Sequence, residues 1–244
     1  MITIGVPAFN EEADLNSTIE RIFQAIKLTK SKEYEIIIVN DGSTDRTAEV
    51  IRQIEKKYKA VRSIHHETNK GLGVFVKTII KEAKYDKFCL VAGDGNVTLD
   101  TLKHYILNAY KAELVFVFIM NTEDRLASRS VLSLFYTFVY TICFNIHVKY
   151  INGAVVFPTK LMRELEIKGN RYSFAAEVAV KLLLKGCSFY EMTGYIKPNV
   201  HKSSAMKWRN LIDVIFAFFY LLYEVKIKFK SLYSKKPSRV FDEA

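Results

Sequence analysis

Alternation is the feature that most constrains this sequence. Apolar runs at 2–6, 33–40 and 61–65, a fourth ending at Ala92, and a fifth at 113–119 are separated by longer stretches of helical pattern. In the first of these stretches, opened by Asn10-Glu11-Glu12, residues Leu15, Ile19, Ile22, Phe23 and Ile26 recur at helical spacing. Pro7 cuts off the first run, as suits a strand followed by an exposed loop. Strands and helices alternating this way predict an α/β chain with a parallel sheet and right-handed crossovers. Ligands of such sheets bind outside the carboxyl ends of the strands. Asn10, Asp41, Asn69 and Asp94 all follow the end of an apolar run, a sorting not expected of random loop chemistry.

The fourth run ends in Leu90-Val91-Ala92-Gly93-Asp94-Gly95-Asn96, a turn on two glycines that presents one carboxylate and one amide. Such a turn can set oxygen ligands beside a divalent cation and a phosphate. Asp94 and Asn96 are therefore read as holding a nucleotide diphosphate through Mg2+ or Mn2+; the plain alternative is a surface turn. In Asn40-Asp41-Gly42-Ser43-Thr44-Asp45, Ser43 or Thr44 is expected to cap the next helix. Asp45 is open between capping and binding, whereas Asp41, before Gly42, is read as binding. Gly71-Leu72-Gly73 lacks the third glycine of a dinucleotide fingerprint, and no G-x-x-x-x-G-K-[ST] occurs. Acids at several strand ends fit base and ribose recognition plus a cation instead.

Val6-Pro7-Ala8-Phe9-Asn10-Glu11, Val39-Asn40-Asp41-Gly42-Ser43-Thr44-Asp45 and Asn69-Lys70-Gly71-Leu72-Gly73, in this order, resemble the family 2 glycosyltransferases. Within that family the chain is most similar to the dolichyl- or polyprenyl-phosphate sugar transferases. The resemblance implies a GT-A, Rossmann-like fold: a mostly parallel sheet flanked by helices. It implies that Pro7, Ala8, Asn10, Glu11 and Asp41 line the nucleoside pocket, with Asn69 beside the nucleotide-sugar. Asp94 is then the retained carboxylate of a metal motif whose first position is here Ala92, and Asn96 stands where a Gln is common. Phe9 replaces a usual Tyr.

Beyond the fifth run, Arg125 and Arg129 lie one helical turn apart, where like charges repel unless an anion joins them. The resemblance places here an arginine-bearing segment that meets a lipid phosphate; two solvated arginines are the alternative. Residues 131–148 carry no Asp, Glu, Lys or Arg and many aromatics. They are near the lower limit for a span, which needs ~20 apolar residues, so a helix in the interface or packed on the domain is expected. A return strand is predicted to end at Pro158, after a turn at Asn152-Gly153. Glu177 begins a helix, either as an acid favoured by the helix dipole or as a catalytic carboxylate. The resemblance favours the second, and places Lys202 in a loop closing on the donor diphosphate. Stretch 211–223 is apolar and followed by Lys226, Lys228, Lys230, Lys235, Lys236 and Arg239, a pattern of peripheral attachment to anionic lipid.

With 244 residues, half of them hydrophobic, the chain can bury one sizeable core with an appendage. Residues 1–204 are expected to form the glycosyltransferase domain. Residues 205–244 are expected to add an amphipathic helix and basic tail that associate with a membrane. The net charge of +10 points to an anionic partner. With the bases clustered beside aromatic helices and no nucleic-acid motif, nucleic acid is not expected. Cys89, Cys143 and Cys187 have no metal-ligand spacing and suit a reducing compartment. Met1 runs straight into the first strand without room for a signal peptide, so a cytoplasmic protein, peripheral on the cytoplasmic face, is expected. The activity expected is inverting transfer of a sugar from a nucleotide-sugar to a polyprenyl phosphate. The alternative acceptor is a saccharide or another hydroxyl, with Glu177 as base.

Overall fold

The computed structural model describes residues 1–121, 127–169, 173–197 and 208–242, with the side chains of 127–129 and 208–211 left out. The five expected strands form as β1 (Ile2–Ala8), β2 (Tyr34–Asp41), β3 (Val61–His66), β4 (Lys87–Leu90) and β5 (Leu114–Ile119). Three more follow: β6 (Ala154–Pro158), β7 (Ser188–Gly194) and β8 (Ser238–Val240). All eight make one sheet in the order β3-β2-β1-β4-β6-β5-β7-β8. Only β6, the return strand, runs antiparallel to its neighbours. The carboxyl ends of β1 to β5 therefore share one rim.

Both faces of this sheet are covered, which explains why its strands are apolar throughout instead of alternating. Ile36 and Ile38 of β2 join one core, Ile37 and Val39 the other. Helices α1 (Leu15–Leu28), α2 (Thr47–Lys57) and α4 (Leu99–Asn108) cover the first face. Helices α3 (Leu72–Glu82), α5 (Ala127–Phe144), the short α6 (Thr159–Arg163), α7 (Ser173–Leu184) and α8 (Trp208–Tyr223) cover the second. Among the described residues, no helix is long and apolar enough to cross a membrane.

Two expectations are corrected. The helix expected from Asn10 starts only at Leu15, because Asn10 adopts a left-handed φ of 58° and spends its side chain on the neighbouring loop. The C-terminal segment is no appendage. Leu221, Val225 and Tyr233 are buried in the second core, and β8 extends the sheet beside β7.

Candidate active site

Local backbone chemistry zips the loops after β1 and β2 together. Asn10 N–H donates to Ser43 Oγ (3.0 Å), while Asn10 Oδ1 accepts from Thr44 N–H (2.8 Å). One step on, Glu11 N–H donates to Thr47 Oγ (2.8 Å), and Glu12 N–H to Asp45 Oδ2 (3.2 Å). The other oxygen of Asp45 accepts from Thr47 N–H (2.9 Å), so Asp45, and neither Ser43 nor Thr44, satisfies the free amide at the start of α2. Pro7 and Glu11 flank this seam half-buried, and Phe9 is exposed on it. Ala8, expected in the pocket, turns its methyl into the first core at 1% exposure, because it continues the inward positions Ile2, Ile4 and Val6.

Asp41 ends β2 as a buried anchor. Its Oδ1 accepts from Lys70 N–H (3.0 Å) and meets His66 Nδ1 (2.7 Å), and its Oδ2 accepts from Gly71 N–H (2.8 Å). His66 in turn bonds Thr78 Oγ of α3 through Nε2 (3.1 Å). One carboxylate thus ties the ends of β2 and β3 to the start of α3. Gly42 is required beside it: its φ is 71°, and a Cβ would stand 2.4 Å from the Thr68 carbonyl carbon. Asn69 lies exposed in the loop pressed against this glycine.

The turn after β4 joins the same rim. Gly93 N–H donates to Pro7 O (3.1 Å), and a Cβ on Gly93 would stand 2.6 Å from that oxygen. Three carbonyls of the turn are held by one face of α1: Thr18 Oγ donates to Gly93 O (3.1 Å), and Arg21 to Gly95 O (2.8 Å) and Val97 O (3.0 Å). Asp94 is half-buried and, among the described residues, accepts only local bonds from Asn96, at 3.2 Å from N–H and 2.6 Å from Nδ2. Burial, together with the nearby charges of Asp94, Asp14 and Asp45, pushes the Glu11 carboxyl up to about 7. Bonded to one another, the loops after β1, β2 and β4 share one acidic rim.

Among the described residues, no group of three His, Cys, Asp or Glu is arranged to hold a metal. What remains is the carboxylate of Asp94, whose two oxygens accept from the N–H and the Nδ2 of Asn96. This set suits Mg2+ or Mn2+ of the kind held by one or two protein oxygens, with substrate phosphates and water completing the shell. The adjoining segment is bonded to this turn: Lys197 N–H donates to Asn96 O (2.7 Å), and Ile196 is pinned by Asn121. Lys202 and Arg125 lie outside the described residues, and Arg129 is placed in the first turn of α5 without its side chain.

At the same rim, past β5, a cavity of about 160 Å³ opens under α5, lined by Ile119, Ser130, Ser133, Thr137, Lys149 and others. Ser130 Oγ is buried without a hydrogen-bond partner among the described residues.

Glu177 belongs to a different arrangement. Its carboxylate accepts from Lys168 N–H (3.0 Å), Gly169 N–H (2.6 Å) and Lys181 Nζ (2.8 Å). Lys181 is fully buried and pairs as well with Glu224 (2.9 Å). Although burial opposes its charge, bonds from Glu177 and Glu224 hold the Lys181 ammonium above the usual lysine range. Among the described residues, none of the partners of Glu177 comes from the acidic rim. The i, i+4 spacing of Glu177 and Lys181 was the legible signal for this pair. Thr18 and Arg21 carried no motif and are recognisable only through their contacts.

The sequence profile of Glycosyl transferase family 2 matches residues 3–163. A dolichyl-phosphate beta-glucosyltransferase of Trichomonas vaginalis is 28% identical over 103 residues, 41% of this chain and 32% of that protein. A dolichol-phosphate mannosyltransferase of Pyrococcus furiosus is 33% identical over 93 residues, 38% of this chain and 25% of that protein. The matched stretch thus spans about a third or less of these relatives' own length. Among solved structures, glucosyl-3-phosphoglycerate synthase from Mycobacterium tuberculosis, in complex with Mn2+, UDP and phosphoglyceric acid, superposes with a TM-score of 0.65 at 18% identity. That match covers 91% of this chain and 78% of that one. With the profile covering well over half of its length, this chain belongs to glycosyl transferase family 2.

Proposed function

We propose that the protein is an inverting glycosyltransferase that moves a sugar from a nucleotide diphosphate to a polyprenyl phosphate at a membrane surface. The observation that carries the reading is the acidic rim itself: loops from three parallel strands, bonded to one another, set Glu11, Asp41 and Asp94 at one rim. The nucleoside fits along the seam of Pro7, Asn10, Glu11 and Asp41, with Asn69 at its edge. Asp41 keeps lone-pair capacity on Oδ2, which accepts a single bond from Gly71. Asp94 and Asn96 would hold Mg2+ or Mn2+ against the diphosphate, where the cation neutralises charge on the leaving group. The complex of the structural neighbour with Mn2+ and UDP supports the choice of ion.

Opposite the donor, the cavity under α5 receives the acceptor. Ser130, Ser133 and Thr137 offer hydroxyl donors there, and Lys149 a cation. Arg125 and Arg129 would aim the phosphate from the start of the helix. Attack of a phosphate oxygen on the anomeric carbon forms the new C–O bond as the bond to the diphosphate breaks, inverting the centre. A phosphate is already ionised at neutral pH, so no general base is needed. The enclosure of Glu177 by two amides and an ammonium supports this acceptor over a hydroxyl, which needs a free base. Lys202 would join the diphosphate from its loop.

The membrane part of the reading rests on α5 and α8. Phe135, Phe138, Ile142, Phe216 and Phe219 are each 60–72% exposed. Lysines follow them, and basic residues are drawn to the anionic cytoplasmic leaflet.

The test is a panel of nucleotide-sugars with and without polyprenyl phosphate and Mn2+, scored for nucleotide release and glycolipid. Glycolipid formed only with the polyprenyl phosphate is expected. Nucleotide release dependent on a saccharide instead would overturn the acceptor. Glu177→Gln sharpens this: folded protein should keep most of its turnover, and near-total loss with folding intact would point to a hydroxyl acceptor.

A further inference from the structure

The exposed apolar stripe of α5 leads into a basic cavity at the end of the sheet away from the acidic rim. Phe135, Phe138 and Ile142, 62%, 60% and 63% exposed, follow one face of the helix, and Asn145 continues that face just past its last turn. Asn145 has a left-handed φ of 54°, which ends the helix there and redirects the chain. Together with His147, Phe189, Lys236, Pro237 and Arg239 it lines a cavity of about 320 Å³. Two cations, an imidazole and an amide face this space, and no lining residue is acidic.

The fold assembles this set from distant sequence. β8 pairs Arg239 with Phe189 at the amino end of β7, which in turn pairs with Leu114 at the amino end of β5. The cavity therefore lies at the opposite end of the strands from Asp94. Arg239 is fixed by an ion pair with Glu191 (2.6 Å), so its guanidinium is pre-organised, whereas Lys236 is exposed and free to reach. Beside α5, the exposed face of α8 is held in place by Phe218, stacked edge-on with Tyr140 (5.1 Å) and Phe144 (5.9 Å).

We propose that this cavity binds the phosphate-bearing headgroup of an anionic phospholipid whose chains lie along the α5 stripe. Lys236 and Arg239 supply the charge, and Asn145 and His147 supply hydrogen bonds. A free phosphate would use the cations but gain nothing from the apolar stripe that runs into them. The inference rests on the membrane-surface part of the proposed function and adds to it a fixed orientation: α5 lies along the bilayer from the headgroup cavity to the rim where the acceptor enters.

Vesicle co-sedimentation tests this with phosphatidylcholine alone and with phosphatidic acid added, at one salt concentration. Wild-type protein should bind the acidic vesicles about tenfold more tightly. K236Q/H147Q should lose most of that increment, while K226Q/K228Q, which removes more formal charge from the tail outside the cavity, should lose less of it. All four positions are exposed, so unchanged thermal unfolding is expected and checks the fold. An equal or larger loss in K226Q/K228Q would overturn the site in favour of diffuse attraction. Tight binding of glycerol phosphate in the absence of vesicles would overturn the lipid as its source. Binding to phosphatidylcholine with no acidic increment sinks the cavity alone; no binding to either vesicle sinks the membrane reading with it.

Discussion

The donor half of the sheet, β1 to β4, and the half from β5 to β8 solve different problems. In the first, polar groups are gathered at the solvent rim and satisfied by neighbouring loops: Asn10, Ser43, Thr44 and Thr47 bond one another across the seam. In the second, the strongest charges are buried away from the rim. Lys181, Glu177 and Glu224 hold α7, the 166–169 loop and the end of α8 together, while aromatic side chains are left outside. The donor half keeps reactive groups half-open at little cost to the fold. The other half uses its ions as structure and its exposed apolar residues as contact surface. On the proposed function, chemistry and stability are carried by different residues, and substitutions should separate them.

Asp94→Ala is expected to have the largest effect. Nucleotide release should fall about a thousandfold, the scale for removing a main electrostatic group from a reaction centre. Among the described residues Asp94 accepts bonds only within its own turn, so thermal unfolding should hardly move. Retained turnover would break the comparison by taking the chemistry away from this rim. Lys181→Ala should do the reverse. It leaves two buried carboxylates without their counter-ion, a loss of ~3–5 kcal/mol and roughly 10 °C in Tm. Turnover of the folded fraction should change little; a selective loss of turnover would instead tie Glu177 and Lys181 to the reaction.

Glu11→Gln is the smallest and most diagnostic change. In the native state the Glu11 carboxyl titrates at about 7, against 4.5 ordinarily. Between these values the native protein binds more protons than the unfolded chain, so this residue makes stability fall as pH rises. Glutamine removes that penalty. Unfolding at pH 8 should show a gain of about 1 kcal/mol after allowance for solvent screening, and none at pH 4. A gain equal at both pH values would mean that neither burial nor the charges of Asp94, Asp14 and Asp45 raise the Glu11 carboxyl.

Much of the donor half was legible from its residues. The five strands fall within two residues of the predicted runs, because a strand covered on both faces is written as a continuous apolar string. That Asp41 and Asp94 stand at strand ends on one rim was legible, because turns at strand ends draw on few residue types. The role of Ala8 was not, since alternation along β1 turned it inward. Capping by Asp45 was one of two readings left open, because the choice depends on where α2 starts. Glu177 illustrates the harder limit: its surroundings are set by Lys181 and Glu224, and the latter lies on a helix far along the chain.

By itself the sequence determined the α/β alternation, the strand ends that carry acids and amides, and the family. These are local or periodic properties, encoded within a few residues of where they act. Tertiary structure alone decided that Arg21 grips the Asp94 turn 74 residues away, that the tail becomes β8, and that Arg239 and Lys236 meet the end of the α5 stripe. Such contacts follow from how the elements pack, and packing energy depends on shapes and charges that no short stretch contains.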